Sequence, residues 1–150
     1  MKKSILTMAA MAVTVLASAN PFFHYKEWKT PHGTYPFNDI KPEHYMPAFD
    51  EGIKQGLAEI DAIVANQEEP TFENTIEAME YAGKTLNNVA GVFYNLMEAH
   101  TNDEMQQIAE QVSPMLTEYS MYVSLNAPLF AKVKAVYEKR NELGLDVDQM

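Results

Sequence analysis

The sequence predicts an all-α fold, and three observations predict it. Apolar residues recur at three- and four-residue steps from about residue 45 to residue 137. Prolines and capping residues punctuate that pattern where helices should begin. No stretch alternates apolar and polar residues between hairpin turns, so nothing calls for a sheet. The expected architecture is an extended aromatic N-terminal strap, residues 20–41, followed by about four long amphipathic antiparallel helices in a domain spanning 42–150.

Residues 1–19 carry a different signal. Lys2 and Lys3 precede an apolar run from Ile5 to Leu16, and Ala17-Ser18-Ala19 supplies the small-x-small ending. This is the three-part pattern of a secretory signal peptide, with cleavage expected between Ala19 and Asn20. The run is about a dozen residues, short of the roughly 20 that a spanning helix needs. The mature protein is therefore expected outside the cytoplasm, periplasmic or extracellular, with no membrane association after cleavage. The absence of cysteine excludes a lipid-anchored lipoprotein, disulfides and any thiolate nucleophile or metal site.

Removing residues 1–19 leaves 9 basic against 21 acidic side chains, a net charge of −12. That balance argues against nucleic acid, whose binding is driven by cations displacing counterions from phosphates. It also lacks the basic face of a peripheral membrane helix. A solvated, soluble surface accounts for the acidity.

The strap, from Asn20-Pro-Phe-Phe-His-Tyr-Lys-Glu-Trp28 to Thr30-Pro-His-Gly-Thr-Tyr-Pro-Phe37, holds six aromatics and three prolines. Pro31 and Pro36 fix φ and disfavour helix in the residues before them. The aromatics are expected to pack on the protein's own helices, since aromatic rings bury large areas wherever a surface is offered.

From Pro42 the spacing predicts a first helix with Tyr45, Phe49, Ile53, Leu57, Ile60 and Val64 on one side. Pro42 suits a first turn and Pro47 must lie in or near it. Pro70 stops that element. Thr71 can cap the next, with Glu73 at the positive end of the dipole. One long stripe of Phe72, Ile76, Met79, Leu86, Val89, Phe93 and Leu96 then predicts a single second helix, with Gly83 a weak point inside it. Thr101 or Asn102 can cap a third, carrying Met105, Ile108, Val112, Met115, Leu116, Tyr119 and Val123. Pro114 should kink or restart it. A fourth, from about Pro128 to Glu142, carries Leu129, Val133, Val136 and Tyr137, and Gly144 ends it. Leu145-Asp-Val-Asp-Gln-Met150 then reads as another helix beginning, so the helical domain is expected to be incomplete.

Chemistry is sparse. No histidine among His24, His32, His44 and His100 is followed by glutamate, and no two are four apart, so the H-E-x-x-H zinc arrangement is absent. Ser113, Ser120 and Ser124 have no histidine close in sequence. There is no phosphate-binding glycine motif. The methionines fall mostly on apolar stripes, where they fill core. The residues alone supply no catalytic and no metal-binding candidate.

Beginning with NPFF at 20–23, an ordered set of segments resembles the N-terminal portion of the peptidyl-dipeptidases (dipeptidyl carboxypeptidases) of the thimet-oligopeptidase-like zinc metallopeptidase family. It continues through PFNDIKPEHYMPAFDEGIKQ at 36–55 and AEIDAIVANQEEPTFENTIEAMEYAGKTL at 58–86. VFYNLMEAHTNDEMQQIAEQ at 92–111 and SLNAPLFAKVKAVYEKRNELGLD at 124–146 complete it. The resemblance implies part of a larger two-lobed helical peptidase with a deep channel, acting on oligopeptides. It implies zinc, held in the full-length enzyme by the two histidines of H-E-x-x-H and a further glutamate, with the intervening glutamate as general base. None of those residues is present here, so the resemblance places no ligand or catalytic residue on this chain, which alone should be inactive. The expected partner is the C-terminal catalytic lobe. Two other readings stand beside this one: a standalone exported non-catalytic helical binding module, and an unrelated four-helix cofactor carrier. The carrier would need facing histidines or methionines that the pattern lacks.

Overall fold

The computed structural model describes residues 20–27 and 29–149. The expected signal peptide at 1–19, with Ala19, lies outside the described residues, as do Trp28 and Met150. Every regular element among the described residues is helical: α1 (Tyr45–Ala65), α2 (Ala78–Tyr81), α3 (Lys84–Ala99), α4 (Asp103–Ser124) and α5 (Ala127–Lys139). None is long and apolar enough to cross a membrane. The chain divides into two compact units. One takes residues up to Gly52 together with Thr85–Val112; the other takes Ile53–Lys84 and residues from Ser113 onward.

In the first unit the strap is not extended throughout, as expected from its prolines, but winds into 3₁₀ turns at Pro21–Glu27 and Pro31–Gly33. A proline ring presets the φ of a first helical turn and has no N–H to waste there. The same ring that forbids helix before it thus starts a turn after it. Asn20 Oδ1 accepts from the Phe22 amide at 3.1 Å, capping the first turn. A third 3₁₀ turn, Pro42–His44, leads into α1. Its first amide is satisfied by the side chain of His44, whose Nδ1 accepts from Lys41 N at 3.1 Å.

The core of this unit is aromatic. Phe93 of α3 is fully buried, with its ring 4.9 Å from Tyr45 and 5.4 Å from Phe49 in edge-on pairs. Phe22 of the strap extends the cluster, 5.6 Å from Tyr45. Such pairs add about 0.5–1.5 kcal/mol each beyond area burial. The strap's aromatics therefore do pack on the protein itself at Phe22, and Tyr35 donates its hydroxyl to Asn88 Oδ1 at 3.2 Å. Phe37 remains half exposed. Ala48, Leu86, Val89, Val92, Met105, Ile108 and Val112 complete the buried apolar set.

The second unit is built on Ile60 and Ile63 of α1 and Leu129 of α5, with Val64, Ala78, Met79, Ala82 and Val123 against them. Its entry turn, Phe72–Glu77, is a π-helical turn leading into α2. Thr71 caps it as expected: its Oγ1 accepts from Asn74 N at 3.1 Å, and Asn74 Oδ1 accepts from Thr71 N at 2.8 Å. Thr75, fully buried, donates to the same Asn74 oxygen at 2.9 Å.

Four expectations need correction. The single second helix is two, because Gly83 takes φ +73° after an extended Ala82, and an L residue resists that conformation. The break is held by Glu59, whose carboxylate accepts from Gly83 N at 2.7 Å. The third helix does not restart at Pro114; α4 runs continuously through it. Buried or half-buried side chains on both sides of Pro114 offset the roughly 3 kcal/mol a mid-helix proline costs. The fourth helix ends at Lys139, short of Glu142, and Tyr137 is 61% exposed with the Arg140 guanidinium 4.0 Å over its ring. The stretch after Gly144 forms turns, not a helix, although Asp146 Oδ1 accepts from Asp148 N and Gln149 N, each at 3.0 Å, in helix-start geometry.

Two glycines of α1 mark close approaches. A Cβ on Gly52 would lie 2.9 Å from Leu86 Cα, and one on Gly56 would lie 2.7 Å from the Tyr119 hydroxyl. Adding a methyl group to a helical glycine gains about 1 kcal/mol of propensity. At Gly52 the obstacle is backbone, so overpacking of about 1–3 kcal/mol wins. At Gly56 the obstacle is the free end of a side chain. Gly52→Ala should therefore lower the urea midpoint, while Gly56→Ala should lower it less or leave it unchanged.

Tyr119 also carries a pH signature. Burial, and secondly the negative charge of Glu59, raise its phenol above the ordinary 10.0. The unfolded chain ionises this phenol first, so the contribution is intact below pH 10 and lost as pH rises beyond it. Tyr119→Phe should flatten the fall in thermal midpoint measured between pH 9 and pH 11.

Candidate functional site

Among the described residues the histidines do not gather with carboxylates into a metal-holding group. His44 is committed to its turn, and His32 sits exposed at φ +60°. His100 lies exposed just past α3, its amide donating to Leu96 O at 2.7 Å. Among the described residues no group of three or more histidine, aspartate or glutamate side chains is placed to hold a metal ion. Ser113, Ser120 and Ser124 are all exposed along α4.

The shifted ionisable groups have structural causes. A hydrogen bond from Lys139 lowers Glu69 and raises Lys139 in turn. Both are surface groups, so the pair is screened and contributes little. Tyr122 is raised first by its hydrogen bond to Asp61. Lys132 Nζ donates to Asn66 O at 2.7 Å, tying α5 to the end of α1.

What the second unit offers is apolar surface. The end of α4 and the start of α5 form an open groove of about 510 Å³, lined by Val64, Met121, Leu125 and Pro128, with Asp61 and Tyr122 at its polar edge. Asn126 shapes this corner by capping α5, its Oδ1 accepting from Leu129 N at 3.0 Å. The sequence held that signal, an asparagine two residues before Pro128, and the expected helix start at Pro128 passed over it. Leu125, in the groove, and Phe130 of α5 are 73% and 66% exposed. Phe130 and Tyr137, seven residues apart, share one side of α5, while Leu129 and Val136 line its buried side. A helix apolar on two sides is ordinarily covered on both. The arrangement can dock an apolar partner, and its carboxylate and phenol, Asp61 and Tyr122, are hydrogen-bonded to each other.

No protein-family model matches the chain. It is 43% identical to the dipeptidyl carboxypeptidase of Escherichia coli strain K12 over 137 residues, 90% of this chain. It is 46% identical to that of Salmonella typhimurium over 114 residues, and 28% identical to oligopeptidase A of the same organism over 95. The chain is similar to these peptidases, matching the dipeptidyl carboxypeptidases more strongly than oligopeptidase A. It spans only 20% of the Escherichia coli relative's length and 17% of the Salmonella dipeptidyl carboxypeptidase.

The exposed residues at the groove can be tested directly. Leu125→Glu with Phe130→Glu should reduce binding of an apolar fluorescent dye and suppress light scattering. The thermal midpoint should shift by under about 0.5 kcal/mol equivalent, as for surface substitutions.

Proposed function

We propose that this chain is the exported front segment of a zinc-dependent peptidyl-dipeptidase that releases dipeptides from the C-termini of oligopeptides. The observation that carries the reading is 43% identity to a dipeptidyl carboxypeptidase over 90% of the chain. Within the whole enzyme this N-terminal segment walls the substrate channel and restricts entry to oligopeptides. The zinc ligands and the general base belong to the catalytic lobe. The side chains of this segment contribute shape rather than chemistry. The exposed apolar side chains on and just before α5 support a segment over a standalone module, since a self-sufficient domain rarely leaves Leu125, Phe130 and Tyr137 uncovered together. The lysine-led apolar run at 2–16 supports export, with activity outside the cytoplasm.

The reading frame after the codon for Met150 provides the test. It should stay open through an H-E-x-x-H helix. Its product, recovered outside the cytoplasm, should release C-terminal dipeptides from short peptides and lose that activity to a chelator. A stop codon there, or stoichiometric zinc binding and peptide cleavage by the 150-residue chain unaided, would overturn the proposal.

A further inference from the structure

Met121 departs from the core-filling part that the other methionines play. It falls two residues from both Tyr119 and Val123, off the apolar stripe of α4, and is 54% exposed in the wall of the α4–α5 groove. Among the described residues the remaining thioethers are better sheltered. Met105 is buried in the first unit, and Met79 packs against the cluster of Ile60, Ile63 and Leu129. Met46, Met97 and Met115 are half-buried, and the Met97 sulfur accepts from the Thr101 hydroxyl at 3.6 Å. The most accessible of these sulfurs therefore stands in an apolar wall, in company with Val64, Leu125 and Pro128.

We propose that Met121 is an oxidation site whose sulfoxide turns the α4–α5 groove from apolar to polar. With hydrogen peroxide as oxidant, the sulfur lone pair attacks one peroxide oxygen and the O–O bond breaks. The S=O bond forms, and the proton on the transferred oxygen passes to the departing hydroxide, which leaves as water. Sulfur has lost two electrons and the peroxide has gained them. The product is a polar, chiral side chain where a flexible apolar one stood. The apolar lining has few other members, Val64, Leu125, Ala127 and Pro128, so one added oxygen alters a substantial part of it. That oxygen accepts hydrogen bonds from water, and an apolar ligand seated there would have to strip the water away. The same ligand would shield the sulfur, so occupancy of the groove and oxidation of Met121 oppose each other.

The full 150-residue chain is treated with dilute hydrogen peroxide at neutral pH, and its methionines are followed by peptide mapping and mass spectrometry. Met121 should gain oxygen about tenfold faster than Met79 and Met105, as its exposure dictates. Binding of an apolar fluorescent dye should fall about threefold as Met121 converts, and return on addition of methionine sulfoxide reductases for both epimers. Met121→Leu keeps an apolar side chain of similar size. It should bind the dye as the wild type does and hold that binding through the same treatment. Oxidation of Met121 no faster than that of Met79 and Met105 would overturn the proposal, and that comparison needs no variant. So would dye binding that survives complete conversion of Met121, or a loss that Met121→Leu shows equally. Every reading is taken on this chain alone, so none of these outcomes bears on the peptidase proposal.

Discussion

The missing side chains of Gly52 and Gly56 set how closely α1 is approached. At Gly52 the backbone of Leu86 comes to a distance that any Cβ would dispute. That closeness brings α3 near enough for Phe93 to place its ring edge-on to Tyr45 and Phe49. One turn later Gly56 receives the phenol of Tyr119, and Ile60 and Ile63 continue into the second apolar cluster. Glycine in a helix interior weakens that helix. Here the loss is offset by aromatic packing and contact area that a bulkier residue would push away.

The sequence made the helices and several of their caps readable because those signals are local. Thr71 lies directly after Pro70, and Asn102 Oδ1 accepts from Met105 N at 2.9 Å, as residues of that type at that spacing should. What the sequence hid was decided by partners far along the chain. Gly83 reads as a weak point in a continuous stripe; the contact that turns it into a break comes from Glu59, 24 residues earlier. Pro114 reads as a kink or a restart, and the helix continues through it without restarting.

The candidate site shows a different limit. The groove at the junction of α4 and α5 was not legible, because of its lining residues only Val64 falls on a predicted apolar stripe and Pro128 on a predicted helix start, while Tyr122, Leu125 and Asn126 carry no periodic signal. Periodicity tells which side of a helix is apolar but not how many neighbours will cover it. Tyr137 illustrates this: its spacing fits the stripe of Leu129 and Val136, yet its ring lies outside under Arg140. The likeness to the peptidases, by contrast, came from ordered sequence over most of the chain, while the described residues bring together no group of three or more histidine, aspartate or glutamate side chains placed to hold a metal ion.

The Tyr119 hydroxyl lies where a Cβ on either Gly56 or Gly83 would be, at 2.7 and 2.8 Å. The three positions therefore share one small volume. A side chain can enter at 56 only if residue 119 shortens or swings away. Position 83 keeps the further demand of its positive φ. Substitutions among these residues should consequently not be additive. A smaller residue at 119 relaxes the constraint on 56 almost entirely but on 83 only in part, so sequence drift at this corner is tied to the size of one aromatic ring.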